Sequence, residues 1–210
     1  MASFADRSIY LASRSPRRRE LLAQFGVPFH LLMFRSGAAG EVNEDPREGE
    51  APRDYVLRVA GEKARTGWTR VLQRRLPRAP VLAADTTVTL EGRIFGKPAD
   101  AGDAERMLVA LSGRRHEVLT AVALAFEERL ETALCASQVR FRDLTLQEIR
   151  GYVASGECDD KAGAYAIQGR AAMFAVEIHG SHSGIVGLPL FETARLLESL
   201  GPVDDRRNPD

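Results

Sequence analysis

Residues 116–141 read HEVLTAVALAFEERLETALCASQVRF, and this stretch decides the fold class. His116 to Glu127 and Leu130 to Phe141 are expected to be two antiparallel strands around a charged turn. A connection that short can only join neighbouring strands running in opposite directions. Upstream, strands and helices alternate instead. Ser8 to Ala12 suits a short buried strand. Ser15 is a good N-cap and Pro16 belongs at the first helical position, so a helix starts there and Gly26 closes it. His30 to Phe34 reads as a second strand. Ser36 to Pro52, rich in Gly, Ala, Glu and Pro, reads as a loop with acidic residues at Glu41, Glu44, Asp45, Glu48 and Glu50. Asp54 to about Arg74 has helical spacing, with Tyr55, Val59, Ala60 and Lys63 in related positions, and Arg75 to Pro80 breaks it.

Pro80 to Asp85 reads as a buried strand that ends in a carboxylate. Thr86 to Leu90, a turn at Glu91-Gly92-Arg93, and Ile94-Phe95 follow as strand, turn and strand. Helices are expected at Ala101 to Leu111 and, capped by Thr145, from there to Ser155. Ala172 to Ile178 reads as a strand and Pro189 to Leu200 as a closing helix; Gly201 to Asp210 is a polar, frayed tail. Alternating elements followed by a local strand pair predict an α/β fold with a mixed, twisted sheet and flanking helices. No repeat or linker divides the chain, so residues 1–200 are expected to form a single domain.

Composition narrows the function. The 210 residues carry 29 Lys plus Arg and 29 Asp plus Glu, a formal net charge of zero. A protein that grips duplex nucleic acid normally has a basic excess, so nucleic acid is not an expected partner. Cys135 and Cys158 are not in a CxxC pair, which points to two reduced thiols in a cytoplasmic protein. Met1 to Tyr10 holds Asp6 and Arg7 and no apolar core, so no signal peptide is expected. No apolar run approaches the ~20 residues that span a bilayer.

Four short segments carry groups with chemistry. At Ser13-Arg14-Ser15-Pro16-Arg17-Arg18-Arg19, hydroxyls and guanidiniums crowd a helix N-terminus, where unpaired N–H groups already favour anions. Cations at that pole run against the usual preference, which favours a site over a solvated helix start. Arg17 and Arg18 point about 100° apart, so they serve different parts of a ligand. Asp85, with Thr86 beside it, can hold Mg²⁺, take a proton from water, or simply cap a turn. Lys97 in Gly96-Lys97-Pro98 is a point charge suited to phosphate, although the P-loop spacing is missing. Gln168, after Asp160-Lys161-Ala162-Gly163-Ala164-Tyr165-Ala166-Ile167, offers a donor and an acceptor to a base edge, or satisfies a loop. Lys63 by itself reads as a surface lysine. His182 reads as a mobile surface histidine, and no GxSxG elbow supports a nucleophilic serine.

These segments together resemble the Maf family of nucleoside triphosphate pyrophosphatases. The matching stretches are Leu11-Ala12-Ser13-Arg14-Ser15-Pro16-Arg17-Arg18, Ala84-Asp85-Thr86 through Gly96-Lys97-Pro98, Leu111-Ser112-Gly113, Asp160 through Gly169, and Val186-Gly187-Leu188-Pro189. They occur in family order from Ile9 to Leu200. The resemblance implies a central cleft, a fold shared with inosine triphosphate pyrophosphatases, and cleavage between the α and β phosphates. It makes Asp85 the catalytic carboxylate and, with Glu44, the holder of a divalent cation, Mg²⁺ or Mn²⁺. Ser13, Lys63 and Lys97 fall on phosphate-binding positions, and Arg18 joins them from the helix turn. Arg17, Thr86 and Gln168 match the branch that prefers dTTP and UTP, whereas the 7-methyl-GTP branch carries Trp, Gln and Glu there. Ala166 and His182 depart from the Gly and Tyr common in the family. The implied role is limiting incorporation of non-standard nucleotides, or cell-division arrest. A 7-methyl-GTP pyrophosphatase and a non-catalytic nucleotide or DNA binder in division control are the alternatives, and a homodimer stays open.

Overall fold

The computed structural model describes residues 8–33 and 42–200. Among the described residues seven strands form one mixed sheet in the order β2-β1-β3-β5-β6-β7, with β4 pairing on β3. The first strands, β1 (Ile9–Leu11) and β2 (Phe29–Leu31), are linked by helix α1 (Pro16–Gln24) and run parallel. Ser15 caps α1 by accepting from the Arg18 amide, and Gly26 (φ +76°) turns the chain out of it. The second strand is shorter than expected and sits earlier; Phe34, like residues 1–7 and the tail 201–210, lies outside the described residues.

Helix α2 (Pro52–Gln73) leads into β3 (Val81–Leu90). Here the sequence reading needs correction. The strand does not end at Asp85 but runs on through it to Leu90, buried for almost its whole length. β5 (Arg115–Phe126) covers one edge of β3 from Val81 to Thr89, antiparallel. The other edge is shared. β1 pairs with Val81 and Leu82, β4 (Arg93–Phe95) pairs with Val88 to Leu90, and neither covers Ala84 to Thr87. Asp85 therefore stands beside a gap in strand pairing, not beyond a strand terminus.

Helix α3 (Ala101–Leu111), capped by Asp100, precedes β5, and β5 pairs with β6 (Arg129–Phe141) over twelve positions, as the charged turn predicted. Thr145 and Glu148 form a capping box on α4 (Leu146–Val153). Residues 170–174 wind into a 3-10 turn, so the last strand, β7, is Ala175–His179 and not Ala172 to Ile178. The glycine-rich turn before the closing helix α6 (Leu190–Ser199) contains a five-residue helix, α5 (His182–Val186).

Successive strand residues face opposite sides, and that alternation builds the core. Val81, Ala83, Leu119, Ala121 and Ala123 pack against Val56, Val59, Ala60 and Ala64 of α2. On the other face Leu82, Ala84, Val122 and Leu124 meet Leu22 of α1 and Leu196 and Leu197 of α6. Gly67 lets α2 cross close to the sheet; a Cβ there would come 2.6 Å from Val81 Cγ1. Farther along that second face, Val88, Val118 and Phe141 join α3, α4, Tyr165 and Phe174 in a third cluster. Both cysteines are buried free thiols. Among the described residues no helix is long and apolar enough to cross a membrane.

Candidate active site

The gap in β3 opens into a cleft of about 940 Å³ that receives side chains from the turn between β1 and α1, from α1, the acidic loop, α2, β3 and the segment 160–168. Its volume lies within the range of small-molecule sites. Seven cationic and four acidic side chains line it, so a neutral chain carries a locally positive groove suited to a polyanion.

Because β3 is extended through the gap, Asp85 and Thr86 project to opposite faces. Asp85 points towards α2, where Lys63 Nζ donates to its Oδ1 at 2.8 Å. The same ammonium lies 2.9 Å from Glu44 Oε1. Lys63 is therefore no surface lysine: its side chain is 18% exposed and ion-paired to two carboxylates. Lys97 stands farther out, 3.9 Å from Glu44 Oε2 and 58% exposed. Burial raises the Glu44 pKa, but Lys63, Lys97 and Arg18 outweigh it and hold the carboxyl below its ordinary value.

Thr86 points the other way, towards α1 and α5. Arg18 donates through Nη2 to Thr86 Oγ1 at 3.2 Å, through Nη1 to Ala84 O at 2.8 Å and through Nε to Gly187 O at 2.8 Å. The guanidinium thus fills the place of the missing strand, satisfying a carbonyl that the sheet leaves open. Burial lowers the Arg18 pKa and Arg17 adds to that, while Asp85 and Glu44 work against it. Thr86 Oγ1 also lies 3.0 Å from Thr120 Oγ1, which donates to Gly184 O at 2.7 Å. Gly187 adopts φ +127°, a conformation that disfavours a side chain, directly against Arg18 and Thr86.

The other expected residues fall in the same cleft. Ser13 is buried and accepts from the Ser15 amide at 3.2 Å. Arg17 lines the groove near Asp160; burial lowers its pKa, against Asp160 and Glu20. Gln168 lines the groove and is exposed. Its segment is anchored by Gly163, whose amide donates to Gly96 O at 3.0 Å and whose missing Cβ would meet Val88 Cγ2 at 2.8 Å. His182 is exposed.

Two residues that sequence reasoning passed over hold the acidic loop in place. Tyr55 donates through its hydroxyl to Glu44 O at 2.9 Å. Burial, with Asp85 and Glu44 nearby, raises the pKa of that phenol and keeps it a donor. Arg58 makes a bidentate pair with Glu50, at 2.6 and 2.8 Å, and donates to Asn43 O at 3.3 Å and Asp45 O at 3.1 Å. The signal was their spacing: positions 55, 58 and 62 follow one helix face, and Glu62 also pairs with Arg58. Of the acidic loop, residues 36–41 lie outside the described residues.

The fold and the site define a class: mixed α/β proteins with a cationic cleft built around two carboxylates. Within that class the chain belongs to the family described as Maf-like protein, whose sequence profile matches residues 8–200. It is 60% identical over 196 residues to a dTTP/UTP pyrophosphatase of Aromatoleum aromaticum, covering 92% of this chain and 95% of the relative. A dTTP/UTP pyrophosphatase of Nitrosomonas europaea is 55% identical over 203 residues, covering 96% and 98%. One from Methylococcus capsulatus is 56% identical over 197 residues, covering 93% and 92%.

Proposed function

We propose that this protein hydrolyses dTTP and UTP to the monophosphate and pyrophosphate. The observation that carries the reading is the pairing of Asp85 and Glu44 across Lys63 inside a cationic groove. Relatives that share most of the chain bear that activity in their names.

The donor set fits a divalent cation brought by the substrate. Among the described residues no group of three or more His, Cys, Asp or Glu side chains could hold a metal by itself. Mg²⁺ commonly takes one or two carboxylates and completes its shell with phosphate oxygens and water. Asp85 and Glu44 would hold it, and the ion would screen the phosphates and the departing pyrophosphate. Lys63, Lys97, Ser13 and Arg18 steady the phosphate chain, and Asp85 accepts the proton of the attacking water. Arg17, Thr86 and Gln168 meet the nucleoside. A neutral amide at 168 suits an uncharged pyrimidine, where a carboxylate would suit a methylated, positively charged guanine.

We read residues 8–200 as one domain of two lobes around the cleft, acting in the cytoplasm on free nucleotides. The test is a nucleotide panel with Mg²⁺ or Mn²⁺, scored for monophosphate with pyrophosphate against orthophosphate. Turnover of UTP and dTTP with pyrophosphate release is expected. Preference for 7-methyl-GTP, or release of orthophosphate alone, overturns the reading.

A further inference from the structure

Lys63 sits where a metal would be expected. Its ammonium lies 2.8 Å from Asp85 Oδ1 and 2.9 Å from Glu44 Oε1. The two carboxylates belong to distant segments, one in the middle of β3 and one in a loop that Tyr55 and Arg58 bind to α2. Like charges brought together need a cation between them, and Lys63 supplies it. A divalent ion held by the same two carboxylates needs the same position. Ammonium and ion exclude each other there.

We propose that Lys63 is an exchangeable occupant of the metal position. Before the ligand arrives, it neutralises Asp85 and Glu44 and keeps them together. When the dication arrives with the triphosphate, the ammonium yields the carboxylates to the ion and turns to the phosphate oxygens. No bond is made or broken in the exchange, and each charge keeps a partner of opposite sign throughout. A flexible four-carbon stem allows the swing without movement of the helix. Lys97 cannot do the same, since among the described residues its one ion pair is with Glu44, at 3.9 Å, and it is largely exposed. The inference rests on Asp85 and Glu44 as the metal ligands proposed above. It predicts a protein that binds free metal poorly and metal–nucleotide well.

The experiment measures Mn²⁺ binding to the nucleotide-free full chain, by electron paramagnetic resonance or calorimetry. Thermal unfolding first confirms that each variant is folded. Lys63→Met is expected to bind Mn²⁺ about tenfold more tightly than wild type or better, because a unit charge a few ångströms from the ion is removed. Lys63→Gln, which keeps a donor for Glu44 without the charge, should tighten binding in the same direction. Lys97→Met should change it by less than about threefold, its charge being well screened. Adding Glu44→Gln to Lys63→Met should abolish the gain. If neither Lys63 variant binds Mn²⁺ more tightly, or Lys97→Met gains as much, the exchange is wrong. The wild-type product assay stands apart from these measurements, so a failure here leaves the proposed reaction separately tested.

Discussion

Arg18 Nε donates to the backbone carbonyl of Gly187 at 2.8 Å, joining residues 169 positions apart across the mouth of the gap in β3. The same guanidinium holds Ala84 O and Thr86 Oγ1, so one side chain ties α1, β3 and the turn after α5. Hydrogen bonds from a charged group contribute more than neutral ones, and removing the donor leaves acceptors unpaired. Arg18→Ala should cost about 3 kcal/mol of stability. For a domain of this size that lowers the melting temperature by about 6–12 °C. Arg18→Lys should recover little, because an ammonium cannot span three acceptors set for a planar fork. Calorimetry of both variants checks this.

Asp85 is the carboxylate most enclosed by the cleft, its side chain 9% exposed against 43% for Glu44. Asp85→Asn keeps the shape and removes the charge that would hold the ion and accept a proton. Turnover of UTP should fall by about a hundred- to a thousandfold, the range of losses seen when one electrostatic group of an active site is removed. Retention of near-normal turnover by a folded Asp85→Asn protein rules out its assigned role.

Arg58 acts at a distance. It touches no cleft carboxylate but fixes the backbone on either side of Glu44 through Asn43 O and Asp45 O. Arg58→Ala should lower kcat/KM for UTP by about tenfold and raise the metal concentration needed for half-maximal rate, because a misplaced ligand weakens a preorganised site. Tyr55→Phe, losing only the bond to Glu44 O, should show the same pattern more weakly. A fall in rate with unchanged metal dependence would make both residues merely structural.

His116 gives a pH dependence whose sign can be worked out. It is buried, its Nε2 pairs with Tyr165 Oη at 2.9 Å, and burial lowers its pKa from 6.5 to about 4. The unfolded chain takes up a proton near pH 6.5 that the folded protein refuses until about pH 4. Stability from this group is therefore fully present above pH 6.5 and is lost as pH falls towards 4, by on the order of 3 kcal/mol. Melting curves from pH 7 to 4 should be flatter for His116→Gln, which keeps a partner for Tyr165, than for wild type. Equal slopes refute the assignment.

Local chemistry made much of this molecule readable. Ser15-Pro16, Gly26 and Thr145 mark helix boundaries that hold, since caps and turns depend on neighbours in sequence. The paired strands β5 and β6 are legible for the same reason. The course of β3 is not: a carboxylate after Val81-Leu82-Ala83-Ala84 looks like a strand end, and only the early stop of β1 and late start of β4 explain why it is not. That is set by long-range pairing. All nine expected site positions line one groove. The braces on the acidic loop stayed hidden because Tyr55 and Arg58 hold backbone carbonyls, which every residue has and no composition betrays.

The interrupted edge of β3 has a last consequence. Adjacent residues at 85 and 86 face opposite sides of one cleft, one beneath α2 and the other beneath α1 and α5. A bound molecule that reaches both must straddle the strand like a rider. On the roles proposed for Thr86 and Asp85, drift at position 86 would retune which molecule is accepted without replacing the carboxylate beside it, so selectivity and chemistry would evolve on independent schedules.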